Sequence, residues 1–342
     1  MTSNKCEVVV LDVGHGNCGL VMNGDTTIVV DAPTGIELLN ALKSRGVRRV
    51  RLALISHADD DHLGGMGALL TSPDVEVEEV RLNPDATKTT RAFEVFRIAA
   101  ADASSRLSRQ GATAVRTELT TAVTDELTLG DVRLEVLHPD PIVAVSGPGG
   151  RALGGASITS NRSCAVVRVL IGDDPVVLLA SDMDAWALEH ITSSGRGASL
   201  ASRVLVFPHH GGHPGGSVEA FASSLTQMVD PEVVIFSIER GGLRNPRAEI
   251  VRGVLAAKPT VRILCTQLSS RCATEDAAGM YSHLSSWPSR GRLRGRACAG
   301  SVVLHLRDGT LVVSPEREGH SEFIRKFAPT HLCVVPAQAR HK

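Results

Sequence analysis

Apolar, mostly β-branched residues recur along the chain in short bursts separated by turns rich in glycine and aspartate. Glu7–Val13 and Thr27–Asp31 are such bursts, and Gly14–Cys18 is a glycine-punctuated turn after the first of them. Gly35–Arg45 carries apolar residues at helical spacing, with Gly46 placed to end the helix. Arg51–Ser56 (RLALIS) reads as a buried strand, and helical periodicity resumes around Gly64–Leu70. Asp85–Gln110 predicts a polar helix preceded by a loop. Strand signals return at Val132–Leu137, followed by Pro139–Pro148 and the stretch SGPGGRALGGAS, whose composition predicts a flexible surface loop or a mobile flap. Cys164–Leu170 and Val176–Ala180 predict a hairpin around Gly172-Asp173-Asp174. Further strands are expected at Val204–Phe207, Val233–Ser237, Val261–Cys265, Val302–Leu306 and Thr310–Ser314. Strands followed by a helix, twice over, predict an α/β sandwich rather than a doubly wound parallel sheet.

Composition narrows the class. A chain of 342 residues can build one large α/β domain or two small ones. Aromatic residues are only 3% of the chain, so the core must be packed with aliphatic side chains. The formal net charge of −1 excludes attraction to nucleic acid or membrane by a global field and leaves only local patches for that purpose. No apolar run reaches the roughly 18 residues of a membrane span, and no secretory leader pattern opens the sequence. The seven cysteines, at 6, 18, 164, 265, 272, 298 and 333, predict reduced thiols; a soluble cytoplasmic protein is expected.

The chemistry concentrates in His57-Ala58-Asp59-Asp60-Asp61-His62-Leu63-Gly64-Gly65. Imidazoles and carboxylates crowd the end of a buried strand, where a tight turn can present them to a divalent metal. The two glycines allow close backbone approach as a helix begins. The competing reading is a solvated acidic loop with incidental histidines. Asp182 closes the apolar run VVLLASD, where a carboxylate can meet a cation or cap the helix that Asp184–His190 predicts. His209 and His210 end the run RVLVFP before glycines. Spacing does not say which of the two is a ligand.

With these residues the chain resembles the metallo-β-lactamase superfamily, whose signature is H-x-H-x-D-H. It is most similar to the branch represented by the hydrolase domain of the ComEC competence proteins, in which Asp replaces the second His. His57-Ala58-Asp59-Asp60-Asp61-His62-Leu63-Gly64-Gly65 matches that variant, H-x-D-x-D-H-x-G-G. Asp12-Val13-Gly14-His15-Gly16-Asn17 resembles the family's D-V-G-Q-G-D, and Val30-Asp31-Ala32 its V-D-T-G. Asn161-Arg162-Ser163-Cys164 resembles the N-x-S segment standing where other members carry a third His. Ala180-Ser181-Asp182-Met183-Asp184 resembles T-G-D-I-E, and Val206-Phe207-Pro208-His209-His210-Gly211-Gly212 resembles V-P-H-H-G-S. Departures are Ser181 for a usual Gly, His15 for Gln, Asn17 for Asp, and Asn245 where the family often has His.

The resemblance implies an αββα sandwich over 5–315, followed by a tail, 316–342, of unknown structure. It implies two divalent metal ions, Mn or Zn, on His57, Asp59, Asp61, His62, Asp182 and His209, with Asp61, Asp182 and His210 as catalytic residues. One ion would take His57, Asp59 and a bridging Asp182; the other would take Asp61, His62, Asp182 and one of the paired histidines. Asn161, Ser163, His213 and Asn245 are the expected substrate-binding residues. Paired cations lower the pKa of a shared water towards about 7 and clamp a phosphoryl oxygen. The implied activity is that of a phosphodiesterase or nuclease acting on nucleic acid, the ComEC branch being associated with DNA degradation. An ester, lactone or thioester hydrolase and a non-catalytic partner of the same fold are the alternatives. Elsewhere, Arg290, Arg292, Arg294 and Arg296 would share one face of an extended strand, as a phosphate-contacting stripe or as solvated surface. Arg45, Arg48, Arg49 and Arg51 form a similar cluster. Cys265, Cys272 and Cys298, with His283, are buried thiols or a small zinc site of unusual spacing.

Overall fold

The structure is a computed structural model describing residues 6–110, 113–241, 243–277, 281–307 and 309–333. Residue 5 of the expected domain and residues 334–342 of the expected tail lie outside the described residues. Two sheets face each other. The first runs, edge to edge, Thr310–Ser314, Val302–Arg307, Glu7–Val10, Gly19–Asn23, Thr26–Val30, Leu52–Ile55, Glu79–Leu82 and Ala114–Arg116. The second runs Arg262–Cys265, Val233–Phe236, Val204–Val206, Asp174–Leu179, Val166–Ile171, Val132–His138 and Thr128–Leu129.

Strand periodicity sorts the side chains into layers. Val8 and Val10 enter the core between the sheets while Val9 points to the outer helices. In the second sheet Val204 and Val206 face inward and Leu205 faces out. Period-2 alternation with both faces apolar produces strands buried on both sides, which forces a helical layer onto each outer face. Leu38 and Leu42 of Glu37–Ser44 and Phe96 and Ala99 of Arg91–Gln110 cover the first sheet. Ala187, Phe221, Leu225, Ile250 and Val254 cover the second from three helices, Ala185–Ser193, Val218–Val229 and Ala248–Ala257. The result is the αββα sandwich expected from the resemblance.

Each sheet is antiparallel on one side and parallel on the other. Thr26–Val30, Leu52–Ile55 and Glu79–Leu82 are parallel neighbours, as are Asp174–Leu179, Val204–Val206 and Val233–Phe236. Parallel strands end together, and their carboxyl ends are where ligands bind in α/β folds. Here those ends carry Asp31, Ser56-His57, Ser181-Asp182, His209-His210 and Ser237.

Several expectations change. Gly19–Asn23, unassigned from sequence, is a strand between Glu7–Val10 and Thr26–Val30, closed onto the latter at the Asn23-Gly24-Asp25 turn. The glycine-rich stretch folds on itself: Arg151 and Ser157 form a bridge, and Gly149 N–H donates to Ile158 O at 2.9 Å. Arg290–Leu293 is a short helix, so its arginines form no stripe; Arg290 donates to Val13 O at 3.1 Å, Arg292 to Ser285 O at 2.7 Å, and Arg294 to Glu239 at 2.9 Å. Arg49 and Arg51 both engage Glu78, and Arg45 lies over Trp287 at 4.1 Å. Beyond residue 316, Arg317–Phe327 is a helix whose Phe323 and Ile324 join the outer core of the second sheet. No described helix is long and apolar enough to cross a membrane.

Candidate metal centre

The 57–62 segment leaves Ile55 through Ser56 and turns at once into the four-residue helix Asp60–Leu63. That abrupt turn needs close backbone neighbours. Gly65 N–H donates to Ala32 O at 2.7 Å, and a Cβ on Gly65 would lie 2.3 Å from Pro33 O. Gly16, at φ +123°, presses on the same turn from the other side; a Cβ there would sit 2.3 Å from Asp61 O. Asp184, not Asp182, caps the Ala185–Ser193 helix, accepting from Ala187 N–H at 2.9 Å, which leaves Asp182 free for the centre.

Asp61, His62, Asp182 and His210 bring one donor atom each to within 4.8 Å of one another. His62 Nδ1 lies 2.8 Å from the carboxylate of Asp31, and His210 Nδ1 lies 2.8 Å from the Ser237 carbonyl. With Nδ1–H donated to these acceptors, each ring turns the lone pair of Nε2 inward. His62 Nε2 then faces Asp182 Oδ1 at 3.1 Å, and His210 Nε2 faces Asp61 Oδ2 at 3.2 Å and Asp182 Oδ1 at 3.7 Å. Lone pairs opposed to carboxylates repel unless a proton or a metal ion sits between them, so this donor set fits a cation. A second, looser set adjoins it. His57 Nε2 is buried without a hydrogen-bond partner, 3.8 Å from Asp59 Oδ2 and 3.9 Å from Asp182 Oδ2. An orphaned imidazole nitrogen between two carboxylates fits a second cation on the same grounds.

Protonation follows from this packing. Burial, with His62 nearby, lowers His57 to about 4. For His62 burial works in the opposite direction, yet Asp182 and Asp31 raise it well above its ordinary value. Burial likewise opposes the ionisation of Asp182, but His62, His209 and His210 hold it well below the usual carboxylate range. A proton on His62 thus stands in for the metal. Because the raised His62 keeps that proton through neutral pH, metal uptake between about pH 6 and 8 should expel it, and apparent affinity should climb up to about tenfold per pH unit. Calorimetric titration of the metal-free protein in buffers of differing ionisation heat measures this; uptake with no proton released would contradict it.

Of the histidine pair, His210 enters the compact group. His209 lies at its open side, 34% exposed, with Nδ1 3.0 Å from Asp182 Oδ2 and 3.1 Å from the Asn161 amide. His15, given no definite role from sequence, places Nε2 3.2 Å from Asp61 Oδ2. With His210 and Asn245 it lines a cavity of about 60 Å³ walled also by Ile238, Glu239 and Leu243. Two of the expected substrate contacts make local hydrogen bonds. Ser163 spends its hydroxyl on Thr159 O (3.1 Å) and Ser160 O (3.2 Å), and exposed His213 accepts from Gly215 N–H at 3.1 Å. Cys265, Cys272 and Cys298 are free thiols, and His283 is spent on the Cys298 carbonyl at 2.7 Å.

The residues around the ligands carry the most information missed by sequence. Asp31 accepts from Ser56 N–H (2.7 Å), Ser56 Oγ (2.8 Å) and His62. Ser181 Oγ donates to Ser56 Oγ at 2.7 Å, and Ser56 Oγ touches His57 Nδ1 at 3.2 Å. Asp31, Ser181, His209 and His210 all adopt left-handed backbone, with φ of 63°, 50°, 53° and 54°. Non-glycine residues rarely do so, and four of the six described cases gather at this one centre.

An αββα sandwich with a His/Asp cation centre at its strand ends defines the class as a metal-binding protein of hydrolase type. A profile of the metallo-beta-lactamase superfamily matches residues 11–181, half of the chain, and the chain belongs to that superfamily. No curated protein matches it. Among solved structures it is similar to Igni18, a metallo hydrolase from the archaeon Ignicoccus hospitalis KIN4/I, at 15% identity and a TM-score of 0.44, over 76% of this chain and 94% of that one. It is similar to the metallo-beta-lactamase fold protein YhfI from Bacillus subtilis at 12% identity and a TM-score of 0.46, over 78% and 98%. A diphosphatase from the PhnP family aligns at 10% identity and a TM-score of 0.39, over 67% and 76%.

Proposed function

We propose that the chain is a metal-dependent phosphodiesterase acting on nucleic acid, a relative of the ComEC hydrolase branch that works with two divalent cations. The observation that carries this reading is the oxygen-rich donor set. Asp59 stands where most superfamily members have His, and Asn161 lies beside His209 rather than a third ligating imidazole. Such a set suits hard cations, manganese more than a His-rich site would, and hard cations pair with phosphoryl oxygens. His62, Asp61, Asp182 and His210 would hold one cation, and His57, Asp59 and Asp182 the other. When bound, the cations supply Lewis acidity and a nucleophilic water at neutral pH.

The chain's own residues do the rest. Asp31 and the Ser237 carbonyl fix the tautomers of His62 and His210, so that the donor atoms stay aimed. The expected roles of the histidine pair exchange: His210 is the ligand. His209, raised by its hydrogen bond to Asp182, holds a proton at the open side, where a leaving oxygen can take it. The cavity beside His15 and Asn245 receives the group flanking the scissile bond. Manganese- and zinc-loaded protein should cleave single- or double-stranded DNA, RNA or bis-p-nitrophenyl phosphate. Turnover confined to a panel of lactones and thioesters, or binding of a protein partner with no turnover, would reject this reading.

A further inference from the structure

Lys88 belongs to the 83–90 connection, which is tied to the rest of the chain at Asn83, Asp85 and Thr90. Asn83 exchanges two hydrogen bonds with the Leu119 backbone, at 2.7 and 2.8 Å. Buried Asp85 accepts from Thr87 N–H at 3.0 Å and from Ser160 Oγ at 2.7 Å, tying the connection to the turn that carries Asn161. Thr90 Oγ1 donates to Asp60 at 2.6 Å, tying it to the 57–62 segment. This bracing delivers the Lys88 ammonium onto Asp59 Oδ1 with only 20% of its side chain exposed. The other oxygen of Asp59 faces His57 Nε2.

An ammonium has three donor protons, and here it meets Asp59 Oδ1 as an ion pair while that oxygen has no hydrogen-bond partner, so those donors are available to a ligand. Its place is electrostatically costly: a positive charge beside a cation position repels the cation in a part-buried setting. Nothing in the hydrolysis of a neutral lactone requires that arrangement. An anion reaching both charges at once removes the repulsion and uses the spare donors. Asp31, Asp59, Asp61 and Asp182 carry four negative charges, enough to balance two divalent cations, so the positive charge of Lys88, like that of protonated His209, is left for an anion to meet.

We propose that Lys88 is a substrate-binding residue that grips a non-bridging phosphate oxygen on the His57–Asp59 side of the centre; this rests on the phosphodiesterase reading and extends it. The test uses inorganic phosphate as probe, titrated calorimetrically into metal-loaded wild type, Lys88→Met and Lys88→Arg. Lys88→Met should weaken phosphate by roughly tenfold to a hundredfold, as loss of a charge-assisted hydrogen bond does, with metal content unchanged. Lys88→Arg should recover most of that loss, and KM for bis-p-nitrophenyl phosphate should rise in Lys88→Met more than kcat falls. Should Lys88→Met fail to fold, Lys88→Gln gives the same comparison. Unchanged phosphate affinity overturns the proposal. So does a lost metal equivalent, which would make Lys88 only a positioning residue for Asp59. If wild type cleaves no phosphodiester yet binds phosphate through Lys88, the phosphodiesterase reading falls and only the phosphate contact of Lys88 stands. If it cleaves phosphodiesters while Lys88→Met binds phosphate as well as wild type, the reverse holds.

Discussion

Asp182→Ala is expected to lower turnover by about three orders of magnitude or more and to strip metal from the protein. The carboxylate is the common neighbour of every inward-facing imidazole: His62 at 3.1 Å, His209 at 3.0 Å, His210 at 3.7 Å and His57 at 3.9 Å. Its loss removes a donor from both cation sets at once, which no other single substitution does. Asp182→Asn keeps the shape and hydrogen-bonding size but removes the charge, and should fail nearly as badly. Metal content by elemental analysis, beside residual hydrolysis, checks both variants. Activity that survives Asp182→Ala would end the metal-centre account.

The second large effect is expected at a residue that touches no cation. Asp31→Ala should weaken metal binding by about tenfold to a hundredfold, the usual cost of deleting the acceptor behind a ligating histidine. It should also destabilise the fold by about 1–3 kcal/mol for each buried donor left unpaired. Ser56 N–H, Ser56 Oγ and His62 Nδ1 all depend on this one buried carboxylate. Asp31→Asn separates the two contributions. Asparagine tolerates the left-handed backbone of this position, but its single carbonyl oxygen cannot serve both Ser56 N–H and His62. Competition with a chelator measures the first effect and thermal unfolding the second. Wild-type metal affinity in Asp31→Asn would show that His62 needs no orienting partner.

What could be read in advance follows the physics of each signal. The sandwich and the strands bearing the site were legible because both rest on local, strong cues: apolar bursts of strand length, each ending in a polar, glycine-marked turn. The ligand turn at 57–62 was legible because its donors are contiguous. Elements with mixed faces were missed. Val218–Val229 and Ala248–Ala257 bury a stripe against the second sheet, and that stripe stands in their sequences at helical spacing. Arg317–Phe327 is polar on average and buries only His320, Phe323 and Ile324 among the residues on its inner face. Roles set by tertiary contact were out of reach. His209 and His210 are adjacent and chemically alike, and what separates them is tertiary: the Ser237 carbonyl and Asp61 meet His210, while Asn161 meets the more exposed His209. Ser163 and His213 sit in the right segments but hydrogen-bond to their own turns. Lys88 has no motif at all; its placement depends on four ties to other parts of the chain.

The left-handed residues at the strand ends set a hierarchy of permissible change. Backbone of that hand is cheap for glycine and costs other residues about 1–3 kcal/mol each, asparagine, aspartate and histidine tolerating it better than serine. Glycine would therefore be the economical occupant of 181, 209 and 210, and drift under selection for stability alone would lead there. The chain instead keeps a hydroxyl and two imidazoles at these corners. Conformational comfort has been surrendered at these three positions in exchange for chemical groups, so variants selected for heat resistance should accumulate glycine there and become catalytically silent.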